Sequence, residues 1–187
     1  MKAAAAQLDV RSTRAHSEMD PARGEQLMRL VDEVFPVERP PTRELITSHR
    51  CEECDDIART FAPYSAADLP AEVIAAHYGS LCLLSASALA HYMPAYLRYA
   101  VSHFTDDEDP SSVVEFLVYQ LCPEPLSHDG YEEHLRGTLE GFSERQGEAL
   151  EAFLDLVQAE PGLPEFFGDW ESHRARFREL WRTRGRA

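Results

Sequence analysis

The stretch from Leu69 to Phe104, LPAEVIAAHYGSLCLLSASALAHYMPAYLRYAVSHF, decides the fold of this 187-residue chain. After Glu72 it contains no acidic residue, although the whole chain carries a formal net charge of −15. From Leu89 onward its apolar residues recur at intervals of three and four, the spacing that places one face of a helix against a core. These residues are Leu89, Met93, Tyr96, Leu97, Ala100, Val101 and Phe104. The stretch therefore predicts a central helix around which other helices pack.

The central helix is predicted to start at Ser85 or Ser87 and to contain Pro94. A proline inside a helix lacks the backbone N–H, and its ring clashes with the carbonyl four residues earlier, here that of Ala90. We therefore predict either a kink at this point or two helices that meet near Met93.

Capping signals mark further helices on both sides of the central one. Asp20 and Asp109 are each followed by proline, which combines an N-cap with a residue suited to the first helical position. Ser143 and Gln146 fit a capping box, and a last helix is predicted from about Asp169. No alternating run is typical of a strand. The sequence predicts an all-α, single-domain orthogonal bundle of about six or seven helices around a Pro-kinked central helix.

Two segments at the ends of the chain differ from the rest. Residues 1–19 show no periodicity and are predicted to be mobile, which leaves residues 20–187 as one helical domain with a basic C-terminal helix. From Trp170 to Ala187 there are six arginines and two glutamates, so this segment carries +4 and the preceding residues carry −19. We expect these arginines to contact an acidic surface of the same fold or of a second copy, and a homodimer is one option.

The net negative charge limits which partners we expect, and the cysteines indicate the cellular compartment. Nucleic acids and anionic membranes require clustered Lys and Arg, so both are disfavoured, whereas a protein with a basic surface is favoured. The apolar run from Leu81 to Val101 is the candidate for a membrane span. It contains Pro94 and Arg98, and its apolar residues lie on one face, which is typical of a core helix instead. No secretory signal precedes the four cysteines. We therefore predict a cytoplasmic protein with free thiols or a metal.

The element His49-Arg-Cys51-Glu-Glu-Cys54 is the metal-like cluster of the sequence. Thiolates and imidazoles are the ligands of tetrahedral zinc, and CxxC is a common half-site. Three ligands are local, so a structural zinc site needs a fourth from elsewhere. The candidates for it are His77, Cys82 and His91.

A structural interpretation of the same element competes with zinc. If a helix starts near Ser48 or His49, Cys51 and Cys54 lie on its buried face with Phe61 and act as small apolar residues. On a regular helix His49 then points away from both sulfurs, so zinc requires an irregular first turn. A redox role is disfavoured because four acidic residues flank the cysteines and oppose a thiolate.

Two further regions are candidates for a partner or ligand surface. His91 and Arg98 lie seven residues apart near Pro94, where they form a small-molecule pocket or, alternatively, hydrogen-bond to the backbone that the proline leaves without a partner. The acidic tetrad that follows the central helix is the second candidate, as a surface for a basic protein. It consists of Asp106, Asp107, Glu108 and Asp109.

The order of three motifs resembles an uncharacterised bacterial family of all-helical proteins. The motifs are HRCEEC, the LPAEVIAAHYGSLCLLSASALAHYMPAYLRYAV run and FSERQGEALEAFLDLV, which span residues 45–158. They are similar to the family patterns HxCxEC, LPxLSxxAxxxYLPAYL and FSxxQxxAxxxFL. The chain departs at Cys82 and Leu83, where the family usually has proline, and at residues 86–88. The resemblance implies the helical fold and no activity.

The sequence predicts the fold more directly than the function, for which three hypotheses stand. Phosphate-binding, dinucleotide-binding, serine-hydrolase and HExxH signatures are all absent, which lowers the expectation of an enzyme. Our first hypothesis is a non-catalytic acidic protein-binding domain without a cofactor, with an immunity- or antitoxin-like role as one version. The alternative is a zinc-binding protein, structural or enzymatic, that uses His49, Cys51 and Cys54. A small-molecule pocket beside the central helix is the third.

Overall fold

The computed structural model describes residues 20–36, 39–104, 111–122, 136–160 and 167–185. The helices with complete bounds in these ranges are α1 (Pro21–Val34), α2 (Glu52–Phe61), α3 (Ala71–Ala76), α4 (Ala86–Ser102), α5 (Ser111–Leu121), α6 (Glu144–Ala159) and α7 (Trp170–Thr183). Residues 136–139 are also helical, and Arg43–Leu45 and Tyr78–Leu83 are short 3-10 segments. The described residues form no strand, so the all-α prediction is confirmed. The segment 1–19 lies outside the described residues.

The predicted N-caps at Asp20 and Ser143 and the predicted start of the last helix near Asp169 are confirmed. The Asp20 carboxylate accepts a hydrogen bond from the backbone N–H two residues further on, 3.0 Å away. Ser143 and Gln146 exchange two hydrogen bonds in a complete capping box. These side chains satisfy N–H groups that the first turn of a helix leaves without partners. The cap predicted at Asp109 lies outside the described residues.

Helix α4 is the predicted central helix, and ten of its seventeen residues are buried. It packs against α1, α3 and α5. It runs without interruption through Pro94, so the prediction of two helices meeting near Met93 is wrong. The turns on either side keep their own hydrogen bonds, and the loss of one bond at the proline does not divide a helix that its neighbours enclose. No helix of the described residues, α4 included, combines the length and apolar character needed to span a membrane.

Two tyrosine hydroxyls of α4 reach the ends of two other helices. The Tyr92 hydroxyl donates to the carbonyl of Phe61, the last residue of α2, at 3.0 Å. The Tyr96 hydroxyl donates to the carbonyl of His77, the C-cap of α3, at 3.2 Å. Burial raises the pKa of Tyr92 to about 12 and also raises the pKa of Tyr96, so both side chains stay protonated donors at neutral pH. Carbonyls at a helix end have spare acceptor capacity, and a buried hydroxyl needs an acceptor. These bonds therefore position α2 and α3 against α4.

Helices α6 and α7 come into close contact at Gly147. A Cβ atom there would lie 2.0 Å from Cζ2 of the Trp181 ring, so only glycine lets the indole approach the backbone of α6 this closely. The indole is stacked on Phe177, and the Arg184 guanidinium lies 3.5 Å from its ring centroid. Because α6 also packs against α1, this contact joins the C-terminal helix to the core.

The arginines of α7 bind mainly to α6. Arg174 is only 3% exposed; its guanidinium pairs with the Asp155 carboxylate and donates to the Glu151 carbonyl at 3.2 Å. Arg184 pairs with Glu144. The expectation that this helix contacts an acidic surface of the same fold is confirmed for these arginines. A contact with a second copy stays a prediction.

We expect Tyr96→Phe to lower the free energy of unfolding by about 1 kcal/mol, because the hydrogen bond is lost while the ring still fills its place. Chemical denaturation of the full chain measures the change. Tyr99→Phe is the control on the same helix, since the Tyr99 ring stacks on His103 and its hydroxyl makes no hydrogen bond to the described residues. Equal effects of the two substitutions would contradict the role assigned to the Tyr96 hydroxyl.

We expect Gly147→Ala to destabilise the protein by about 1–3 kcal/mol, because the added methyl group must displace the Trp181 ring. This loss exceeds the gain in helix propensity from glycine to alanine, which is about 1 kcal/mol. Gly137→Ala is the control, since a Cβ at this helical position meets no atom within 4 Å. Thermal or chemical unfolding compares the two. A Gly147→Ala variant as stable as the control would show that the indole moves away without cost.

Candidate metal centre

The segment before α2 is bound to the segment before α4. Ser85, the N-cap of α4, donates its backbone N–H to the Ile46 carbonyl at 2.8 Å and its hydroxyl to the Leu45 carbonyl at 2.6 Å. Ser48 donates its backbone N–H to the Leu83 carbonyl at 3.2 Å, and this bond and the Ser85–Ile46 bond together form an isolated antiparallel bridge between Thr47 and Leu84. The Ile46 side chain is completely buried. These contacts fix the backbone immediately before His49 in a non-helical conformation.

Helix α2 starts at Glu52, three or four residues later than predicted. Cys51 is its N-cap, with an extended backbone, and its sulfur accepts the N–H of Cys54 at 3.3 Å. The predicted burial of Cys51 is therefore wrong: Cys51 is exposed, whereas Cys54 is completely buried. The first turn is irregular in the way that the zinc hypothesis requires.

This backbone brings the three predicted metal ligands together. His49 Nε2 lies 3.6 Å from Cys51 Sγ and 3.4 Å from Cys54 Sγ. One ligand atom from each residue can be chosen so that all three lie within 4.8 Å of one another. The prediction that His49 points away from both sulfurs assumed a regular helix and is wrong, because His49 precedes the helix and folds back over its first turn.

The distances agree with a tetrahedral metal site. With zinc–sulfur bonds of about 2.3 Å and zinc–nitrogen bonds of about 2.0 Å, a sulfur and a nitrogen ligand lie about 3.5 Å apart. The two distances from Nε2 are close to this value. His49 Nδ1 also lies 3.7 Å from Cys54 Sγ, so a rotation of this exposed ring decides which nitrogen binds a metal.

Groups around the cluster support the ligands. The hydroxyl of Ser48 lies 3.5 Å from His49 Nδ1, and the hydroxyl of Thr47 donates to the His49 carbonyl at 3.2 Å. The backbone N–H of Cys54 donates to Cys51 Sγ, and this hydrogen bond favours negative charge on that sulfur. Outer contacts of this kind orient metal ligands.

The electrostatics disfavour a redox pair. Burial, and next the hydrogen bond to Cys51, raise the pKa of the Cys54 thiol to about 11, and Glu53 adds to the rise. A nucleophilic cysteine needs a pKa below its usual value, so without a metal Cys54 is an unreactive thiol at neutral pH. A bound divalent cation reverses this preference, because a coordinating thiol is deprotonated.

None of the predicted fourth ligands joins the cluster. The His77 ring packs against Phe61 with centroids 5.9 Å apart, and the Cys82 thiol donates to the Gly79 carbonyl at 3.4 Å. His91 lines a separate cavity together with Pro94. In the part of the chain that the structure describes, no fourth His, Cys, Asp or Glu completes the group.

The second predicted site, His91 with Arg98, is divided between two environments. Arg98 donates to the Asp32 carboxylate of α1 at 2.7 Å, so the alternative in which it binds the backbone near Pro94 is wrong for this residue. His91 lines a cavity of about 480 Å³ with Pro94 and Gln146, and Arg98 is not part of its wall. A pocket therefore exists beside the central helix, with a different composition from the one predicted.

The acidic tetrad Asp106, Asp107, Glu108 and Asp109 lies outside the described residues, so its role as a partner surface stays a prediction.

Sequence reasoning missed a cavity beside His49. It has a volume of about 400 Å³ and is lined by residues of the 3-10 segment, of the loop before α2 and of α2 itself. Arg43 and Arg50 bring two positive charges to it, and Glu44 and Asp55 bring two negative charges. Arg50 stands next to His49 in the sequence, but Arg43 is six residues from it, and only the turn of the chain at residues 43–49 brings both to the same side.

Together, the fold and this site define an all-helical protein with a three-residue, metal-type cluster at the start of a short helix. The chain belongs to the family of unknown function DUF6714, which matches residues 47–184, about three quarters of its length. The predicted membership of an uncharacterised family is thereby confirmed. No curated protein and no solved structure is significantly similar to the chain.

We expect brief alkylation of the metal-free, folded protein to modify Cys51 first, because Cys51 is exposed while Cys54 and Cys122 are buried. Burial also raises the pKa of Cys122 to about 12, which slows it further. Mass spectrometry of the peptides measures the order, and labelling in denaturant, where all four thiols are accessible, is the control. Modification of Cys122 as fast as that of Cys51 would contradict this placement.

Proposed function

We propose that this protein binds a zinc ion through His49, Cys51 and Cys54. The observation that carries the proposal is the position of His49 Nε2, 3.6 Å and 3.4 Å from the two sulfurs in a loop that the rest of the fold holds in place. In the metal-free protein these contacts are within hydrogen-bonding distance for sulfur, and the same three atoms are spaced as the ligands of one zinc ion would be.

The donor set favours zinc over other common metals. Thiolates with an imidazole suit zinc, whereas calcium, magnesium and manganese prefer oxygen ligands. The start of α2 adds partial positive charge that favours thiolates, although Glu52, Glu53 and Asp55 in the first turn oppose it. A divalent cation balances the two thiolates and lowers the local excess of negative charge, which is a reason for acidic residues to be tolerated here.

We expect the full-length protein to bind one equivalent of zinc and to lose it on substitution of an exposed ligand. His49→Ala and Cys51→Ser should each weaken zinc binding by more than about 100-fold, since loss of an outer contact alone costs 10- to 100-fold. Elemental analysis and titration against a chelator of known affinity measure the change. The melting temperature should fall on chelation, because binding to the folded state alone stabilises it.

Cys82→Ser is the matched control, because Cys82 is a cysteine outside the cluster that is only partly buried. This variant should keep the stoichiometry and affinity of the unmodified protein. His49 and Cys51 are both exposed, so their substitution leaves no internal cavity, and circular dichroism checks that the metal-free variants stay folded. A protein that binds no zinc, or a Cys51→Ser variant that binds it equally well, would reject the proposal.

The acidic protein-binding role, with its immunity- or antitoxin-like version, stays a prediction. The basic helix α7 makes its ion pairs within the fold, and much of the acidic excess remains on exposed side chains such as Glu52 and Glu53. A basic partner could bind this exterior independently of a zinc site, so the two functions are compatible.

A further inference from the structure

The cavity beside His49 has the chemistry of an anion site. Arg43, Thr47, Ser48 and Arg50 contribute two guanidinium groups and two hydroxyls to its wall. His49 lines the same cavity and also belongs to the His-Cys-Cys cluster. A molecule in this cavity therefore lies against one of the proposed metal ligands.

The two guanidinium groups are available for a ligand. Both arginines are exposed, and neither forms an ion pair with the described residues, whereas Arg59, Arg98, Arg145 and Arg174 all do. The cavity also has acidic residues, Glu44 and Asp55. Backbone and Thr42 hydrogen bonds, and after them the charges of Arg43 and Arg50, hold the pKa of Glu44 below its usual value. Arg43 and Arg50 thus both place positive charge near Glu44 in the cavity wall.

Three protein ligands leave one position of a tetrahedral metal site for a further ligand. Zinc with three protein ligands binds water or an external ligand at the fourth position, whereas closed structural sites have four protein ligands. No further His, Cys, Asp or Glu among the described residues joins the cluster as a fourth ligand. Carboxylate and phosphate oxygens bind zinc, and both also pair with the planar fork of an arginine.

We infer that a small oxyanion, a carboxylate or a phosphate, occupies the cavity of Arg43 and Arg50 and supplies the fourth ligand of the metal held by His49, Cys51 and Cys54. The inference rests on the proposed zinc site. It makes the site one that binds an external ligand and not a purely structural one.

The test uses the full chain loaded with cobalt(II), whose visible absorption reports on its ligands. Acetate and inorganic phosphate are titrated separately at constant ionic strength, with perchlorate as the inert salt. We expect a saturable change in the cobalt spectrum with at least one of the two anions, and the anion that binds more tightly identifies the class. The double substitution Arg43→Gln and Arg50→Gln should weaken that binding by about tenfold or more while cobalt stays bound, because two charge-assisted hydrogen bonds are lost.

Arg59→Gln is the matched control, since Arg59 is an exposed arginine of α2 that pairs with Asp56 and does not line the cavity. It should leave the anion affinity unchanged. A chain that takes up no cobalt overturns the proposed metal site together with this inference. A cobalt spectrum with sulfur ligands that neither anion changes overturns the inference alone. Anion binding that survives the double substitution overturns the role of the cavity.

Discussion

The structure depends on burying α4 while the hydroxyls of its two completely buried tyrosines find partners. The helix supplies two large tyrosines to the core, and a buried hydroxyl without an acceptor costs about 1–3 kcal/mol. Tyr92 and Tyr96 meet this constraint with carbonyls at the ends of α2 and α3. The same bonds that satisfy the buried tyrosines therefore also hold the ends of two other helices against α4. Apolar packing alone would leave the positions of these helices less defined.

The N-terminus of α4 also positions the segment that leads to the candidate metal centre. Ser85 caps the helix with its hydroxyl and bonds the carbonyls of Leu45 and Ile46 at the same time. The backbone from residue 45 to residue 48 is thereby excluded from α2, and Cys51 instead of an earlier residue becomes the N-cap. The approach of His49 to the two sulfurs is a consequence of how the central helix begins, 36 residues further along the chain.

Patterns within one helix were sufficient to predict most of the fold. The apolar spacing from Leu89 to Val101, the caps at Asp20 and Ser143 and the start of the last helix near Asp169 are local signals, and each is confirmed. The start of α2 was misplaced because CEECDDIARTF is helical by spacing, and the contacts that exclude residues 45–49 come from a distant segment. The partner of Arg98, Asp32 on α1, is also distant in sequence. Long-range contacts of this kind leave no periodic signal in the chain.

The candidate site was predicted in composition but not in geometry. Residue types identified His49, Cys51 and Cys54 as ligands, whereas spacing on an ideal helix argued against their convergence, and the structure decides between these two arguments. The family match begins at residue 47, so it includes His49, Cys51 and Cys54 but not α1, which nonetheless packs against α4 and α6. The matched region thus includes the loop and α4, which orders it, and α1 closes the core from outside that region. A metal held by His49, Cys51 and Cys54 would stabilise the loop before α2 and the start of α2, at the beginning of the matched region.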